Sequence, residues 1–233
     1  MVIHLAAYLT SMDDAVSIDK LLDSNLVLGT NLLDALKGTG LKFFINTGTF
    51  AEYDGAALSP AYLYAATKTA FRPILQYYSN IAGFRIVNVI PYTIYGGIST
   101  SKKLIDLVYE SVKAAAPVAM SPGEQVLDFI HIDDVVNFYI TLIQNTVALE
   151  EKYYDVHLGT GKGTTPKQLE QLMEGIMQQK TNIDWGGRPY RSNDTMYAVA
   201  PESKLMTTLH WQPTITLEQG LKKYYNDNSN NGI

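Results

Sequence analysis

The chain has 233 residues, 46% hydrophobic and 18% charged, with a net charge of −5 and no cysteine. That is enough apolar material for one large or two small cores, and the missing cysteines exclude disulfides, thiolate nucleophiles and cysteine-type metal sites. Sequence-independent binding to nucleic acid needs a stripe of Lys and Arg, whereas here pairs such as Lys102-Lys103 are as dense as the clusters get; no stretch approaches a membrane span, no basic leader opens the chain, and a cytoplasmic location is expected.

In chain order, residues 2–6 read as a buried strand, and 24–37 as a helix carrying Leu26, Leu28, Leu32, Leu33 and Leu36 on one stripe. A strand follows at 42–46, a helix at 61–81, and a β-branched strand at 84–90. This alternation predicts an α/β fold, a doubly wound parallel sheet. Beyond Gly96 the rhythm loosens: a helix over 101–115, a strand at 126–130, a helix at 133–145, a strand at 153–158 and a helix at 166–178. The stretch 182–213 is punctuated by Gly, Pro and Asn, and a short terminal helix gives way to a frayed tail over 226–233. Residues 1–96 are expected to form a dinucleotide-binding domain with late elements from 126–160, and 97–125 with 161–233 a substrate-binding part.

The chemistry-bearing pattern is Tyr64-Ala-Ala-Thr-Lys68. With 16 tyrosines and 14 lysines, about one Tyr-x-x-x-Lys arises by chance. Tyr109-Glu-Ser-Val-Lys113 has the same spacing inside an amphipathic run, where packing and solvation explain it. What distinguishes Tyr64-Lys68 is the strand that delivers Thr47 and Thr49 just before it. Ligands of doubly wound sheets bind at the carboxyl ends of strands. In an extended segment Thr47 and Thr49 share a face, and Tyr64 and Lys68 meet one helical turn apart. An ammonium beside a phenol is expected to lower the tyrosine pKa so that it trades a proton with a substrate oxygen, which a threonine hydroxyl holds in place.

Together these segments resemble the extended short-chain dehydrogenases/reductases of the NAD-dependent epimerase/dehydratase family, which act mostly on nucleotide sugars. The resemblance implies NAD or NADP as cofactor and a nucleotide sugar as substrate, with Tyr64, Lys68 and Thr47 catalytic. It implies that Leu5, Ala6 and Ala7 line the cofactor, that Asn25 supports the site, and that Lys68 also reaches the nicotinamide ribose. Pro91 and Thr93, in Pro91-Tyr-Thr-Ile-Tyr95-Gly96, match a segment that packs on the nicotinamide, with Thr93 also facing substrate. Thr49 matches a substrate contact, and Arg191 in Arg191-Ser-Asn-Asp194 the place of a diphosphate-gripping arginine. Leu127-Asp128-Phe129-Ile-His131, Tyr154-Asp-Val-His-Leu-Gly159 and Leu209-His-Trp211 follow the family's order. Asn46-Thr-Gly-Thr-Phe50, Leu63-Tyr-Ala-Ala-Thr-Lys-Thr-Ala-Phe71 and Met120-Ser-Pro-Gly-Glu-Gln125 are similar to reductases of the CDP-abequose and CDP-paratose synthase branch, which reduce a 4-keto sugar; a 4-epimerase or dehydratase of the same family is the alternative. Pairing through the helices near 24–37 and 61–81 would give a homodimer.

The chain departs from that pattern in places. It has no G-x-x-G-x-x-G turn before the first strand, so the expectation is an N-terminally truncated Rossmann-type sheet with an exposed apolar edge, and a catalytically inactive fragment or sugar-nucleotide-binding protein is the reading from another class. Leu127 stands where an arginine is frequent. Arg72 stands where a glutamate is frequent, which would change a surface ion pair. Two further signals read as structural: Gly159-Thr-Gly161-Lys-Gly163 as a strand-to-helix turn lacking Walker spacing, and His131-Ile-Asp133-Asp134 as a helix start with no metal implied.

Overall fold

The computed structural model describes residues 1–97 and 102–230. In chain order the elements are β1 (Val2–His4), α1 (Ala15–Leu22), a π-helical turn (Asp23–Val27), α2 (Leu28–Ala35), β2 (Phe43–Thr47), a 3₁₀ turn (Phe50–Glu52), β3 (Tyr53–Asp54), β4 (Ala57–Leu58), α3 (Leu63–Ile81), β5 (Arg85–Pro91), β6 (Thr93–Tyr95), α4 (Leu104–Ser111), β7 (Val118–Met120), β8 (Val126–His131), α5 (Ile132–Gln144), a 3₁₀ turn (Thr146–Ala148), β9 (Tyr153–Leu158), β10 (Gly163–Thr164), α6 (Pro166–Met177), β11 (Ile183–Trp185), β12 (Tyr197–Ala198), α7 (Lys204–Thr208) and α8 (Leu217–Asn230). They fall into two units. The first holds residues 1–91, 140–158 and 201–211, the second 92–139, 159–200 and 212–233.

The first unit is built on a parallel sheet in the order β1-β2-β5-β9. Strands covered on both faces need near-continuous apolar runs, and Phe43-Phe-Ile45 and Ile86 to Ile90 supply them. Phe44, Phe84 and Ile86 pack with Leu33 of α2 and with Phe71, Leu75 and Tyr78 of α3. Each such side chain contributes about 2 kcal/mol by leaving water.

The helix expected over 24–37 is a longer, interrupted one. Asp14 caps α1, its carboxylate accepting from the amides of Val16 and Ser17. The interruption is the π turn, which rotates the leucine stripe: Leu33 is fully buried while Leu28 is exposed. Residues 2–6 are likewise shorter than expected as a strand. β1 ends at His4 and pairs with β2 alone, leaving Ile3 and Leu5 exposed at the sheet edge.

The second unit surrounds β8. It pairs antiparallel with β10 and in parallel with β12 and β6, while β7 pairs with β11. Tyr95, Ile105, Val108, Met120, Phe129, Leu169, Met173 and Leu221 form its core. The division therefore differs from the expected domain limits: because β6 and β8 pair with each other, 92–96 and 126–139 belong with this unit, while 201–211 belong with the first.

Helix α4 starts at Leu104 and stops at Ser111, and Lys113 follows in a turn, its amide donating to the Glu110 carbonyl at 3.0 Å; the expected start at 101 lies outside the described residues. Tyr109 packs edge-on against Tyr224. The tail expected to fray from Asn226 stays helical to Asn230. Among the described residues no helix is long and apolar enough to cross a membrane.

Candidate active site

Strand β2 delivers Thr47 to the carboxyl edge of the parallel sheet, where the amide of Gly48 donates to the Val89 carbonyl at 2.7 Å. The chain then turns sharply. Thr49 caps the Phe50–Glu52 turn, its Oγ1 accepting from the Ala51 amide at 3.3 Å, and Glu52 Oε1 accepts from the Thr49 amide at 2.9 Å. The short β3-β4 hairpin leads into α3, whose first two turns carry Tyr64 and Lys68.

Both side chains are buried, at 9% and 6% exposure. Lys68 Nζ donates to the Thr47 carbonyl at 2.8 Å and lies 5.9 Å from the centre of the Tyr64 ring. Helix and strand end are thus tied by the lysine. Burial pulls the Lys68 pKa down to about 8, against the opposing pull of Glu52. Burial, with Tyr62 and Glu52 beside it, pushes Tyr64 up to about 12.

That corrects one expectation. Lys68 does not lower the phenol's pKa here, because removal from water disfavours phenolate and dominates the shift. Near neutral pH Tyr64 is a neutral phenol, a group that gives a proton.

Asn25 lies in the π turn, a form of helix that recurs at functional sites. Its amide bonds the Tyr8 backbone in both directions, at 2.9 and 3.1 Å, and donates to Thr67 Oγ1 at 3.0 Å; that hydroxyl donates to the Tyr64 carbonyl at 2.7 Å. Asn25 therefore joins the segment after β1 to the start of α3. Leu5, Ala6 and Ala7 are exposed just beyond β1. Pro91 ends β5. Thr93 and Arg191 belong to the second unit: Thr93 Oγ1 is buried without a hydrogen-bond partner, and Arg191 is exposed in a turn closed by its own amide on Asp194 at 3.0 Å. The structure thus brings Thr47, Thr49, Tyr64, Lys68 and Asn25 into one unit.

Sequence reasoning missed Glu52, which is fully buried. Its Thr49-x-x-Glu52 spacing is a capping-box signature and was the available signal. Arg72 lies next to Glu52. Its side chain is 12% exposed, with Nη2 2.5 Å from Asp155 Oδ2 and Nη1 3.6 Å from Glu52 Oε2. Asp155 also accepts from Asn88 Nδ2 at 2.8 Å and the Tyr153 hydroxyl at 3.0 Å. Arg72 therefore stands between the buried Glu52 and the solvent-accessible Asp155.

The two bland signals have clear occupants. Asp128 is completely buried, and its carboxylate accepts from the amides of Thr160, Gly161 and Ala200 and from the Thr160 hydroxyl. The donors that a phosphate would need in the Gly159–Gly161 turn are already engaged. Asp134 accepts from Thr214 and Ile215, and Asp133 pairs with Lys223.

The first unit fits the nicotinamide–ribose end of a dinucleotide. Lys68 has three N–H donors, of which the structure engages one on Thr47, leaving a fork suited to a ribose diol. The connection from β1 to α1, residues 5–14, contains no glycine, so nothing there reproduces the glycine-rich pyrophosphate turn of the doubly wound folds.

A family model described as NAD dependent epimerase/dehydratase family matches residues 1–157, and the chain belongs to that family, a class of nicotinamide-dependent enzymes with a Rossmann-type α/β fold. Over 229 residues it is 29% identical to the CDP-abequose synthase of Salmonella typhimurium, covering 95% of this chain and 74% of that protein. It is 27% identical to the UDP-glucuronate 4-epimerase of Thermodesulfobacterium geofontis, covering 97% and 71%. Its fold matches MoeE5, solved with UDP-glucuronic acid and NAD, with a TM-score of 0.83 at 19% identity over 97% of this chain and 79% of that one. It also matches RMD from Pseudomonas aeruginosa, solved with NADPH, with a TM-score of 0.79 at 22% identity over 97% and 80%. The relatives are sugar-nucleotide enzymes of more than one reaction type, synthase and epimerase.

Proposed function

We propose that the chain is a nucleotide-sugar oxidoreductase that works as a carbonyl reductase, in the manner its similarity to CDP-abequose synthase suggests, and takes a 4-keto sugar. A bound nicotinamide dinucleotide, NAD or NADP, supplies the hydride. Tyr64 donates the proton to the sugar oxygen, Thr47 orients that oxygen, and Lys68 holds the ribose while fixing the strand end. Leu5 to Ala7, Asn25, Pro91 and Thr93 complete the cofactor contacts; Thr49, Thr93 and Arg191 are assigned to the substrate. The observation that carries the reading is the Lys68–Thr47 bond beside a buried Tyr64, which assembles donor, cation and threonine at one strand end.

In the reductive direction Tyr64 gives its proton to the carbonyl oxygen, the role of a neutral phenol. We assign the protein to the cytoplasm and to a homodimer joined through α2 and α3, where Leu28, Tyr77 and Ile81 are exposed. Tyr64→Phe tests the assignment: turnover of a nucleotide 4-keto sugar should vanish with the circular dichroism unchanged, and undiminished NADPH consumption would overturn it.

A further inference from the structure

We propose that Glu52 is the positioning residue of this site, setting the threonine-bearing turn through the Thr49 amide and holding the Lys68 ammonium through its charge; the inference rests on the roles given above to Thr47, Tyr64 and Lys68. Glu52 Oε1 closes the turn on Thr49, and Oε2 receives the Thr69 hydroxyl at 3.5 Å. Gly48 is small because of it: a Cβ there would lie 2.7 Å from Glu52 Oε1 and 3.3 Å from Ile90 Cγ1. The carboxylate therefore sits directly under the peptide that links Thr47 to Thr49.

The cap alone does not need a charge, since glutamine serves the same position of a capping box. Burying a carboxylate is costly unless the charge is used. The nearest cation, Arg72, is shared: it makes its short contact with Asp155 and stands 3.6 Å from Glu52. Burial pushes the Glu52 carboxyl above its usual value while the Thr49 amide, Arg72 and Lys68 pull it back, and its ionised form pulls on the Lys68 ammonium against burial. The groups facing this pair are Arg72 on α3, Asp155 on β9, Tyr53 on β3 and Tyr64 on α3, with His4 of β1 on the Lys68 side; burial and Lys68 both lower the pKa of His4.

The test uses the whole chain labelled with ε-¹³C-lysine and free of ligand, with the Lys68 signal assigned by its loss in Lys68→Arg. In Glu52→Gln the Lys68 midpoint should fall by about one pH unit, and kcat/KM at pH 9 by about tenfold relative to the original chain, as the alkaline limb moves with it. Glu52→Asp keeps the charge but withdraws the oxygen from Thr49; its Lys68 midpoint should stay in place while kcat/KM falls about tenfold or more at every pH. An unchanged Lys68 midpoint in folded Glu52→Gln, or full turnover in Glu52→Asp, overturns the proposal. If Glu52→Gln does not fold, the Glu52→Asp result decides alone. Activity that survives Tyr64→Phe would sink the reductase reading and leave the ligand-free titration to judge Glu52.

Discussion

Lys68 is held where its charge is expensive. Its folded pKa of about 8 lies below the ordinary lysine value of 10.5, so between those pH values the unfolded chain binds more protons, and stability should climb as pH rises through that window. Below pH 8 the full cost of the buried ammonium is present. Lys68→Met should therefore stabilise the fold at pH 7 by about 2 kcal/mol, after discounting the lost bond to Thr47, with the gain shrinking by pH 10, while turnover disappears. Urea denaturation at the two pH values checks this; a variant less stable at pH 7 would refute it. Tyr64, Lys68 and Thr47 stood out in the sequence because a strand-like run ends just before the Tyr–Lys pair, the spacing by itself being uninformative. The sequence misjudged the direction of the Tyr64 shift because burial, which decides it, is a property of the packed unit.

At the scale of elements, the π turn between α1 and α2 is the joint of the site. Its Asn25 ties the Tyr8 backbone to Thr67, and thereby to the turn that starts α3. Asn25→Ala would leave buried groups unpaired and should cost about 2–3 kcal/mol, seen as a lower thermal midpoint together with weakened cofactor affinity; an unchanged midpoint would show that the joint is dispensable. Close packing of the helices makes a second prediction. A Cβ on Gly29 would stand 2.5 Å from Phe71 Cζ, and Phe71 is buried. Gly29→Ala should cost about 1–3 kcal/mol by overpacking, and a neutral effect in denaturant titration would mean the α2–α3 contact is looser than described. Strands β2, β5 and β9 were legible from apolar runs. The π turn was not, since an extra residue in a helix leaves the leucine spacing almost unchanged, and neither was the Arg72–Asp155 network, whose partners are 83 residues apart.

For the molecule as a whole, fold and family were legible because many weak segments fell in one order along the chain, which no single motif could establish. The division into units was less so: the pairing of β6 with β8 depends on strands 36 positions apart in register, Thr93 opposite Phe129, and hydropathy does not encode partners. Association belongs to this scale too. A Leu28→Asp, Tyr77→Asp double variant should move the protein from dimer to monomer in light scattering, and a monomeric parent chain would contradict the homodimer. The central claim is hydride delivery to a sugar carbonyl with Tyr64 as proton donor, and the most direct measurement follows deuterium from [4-²H]NADPH to a CDP-linked 4-keto sugar by mass spectrometry and NMR. The account predicts one deuteron retained at the sugar C4 with net oxidation of the dinucleotide, and none with Tyr64→Phe; no transfer by the unaltered chain, or equal transfer by the variant, would contradict it.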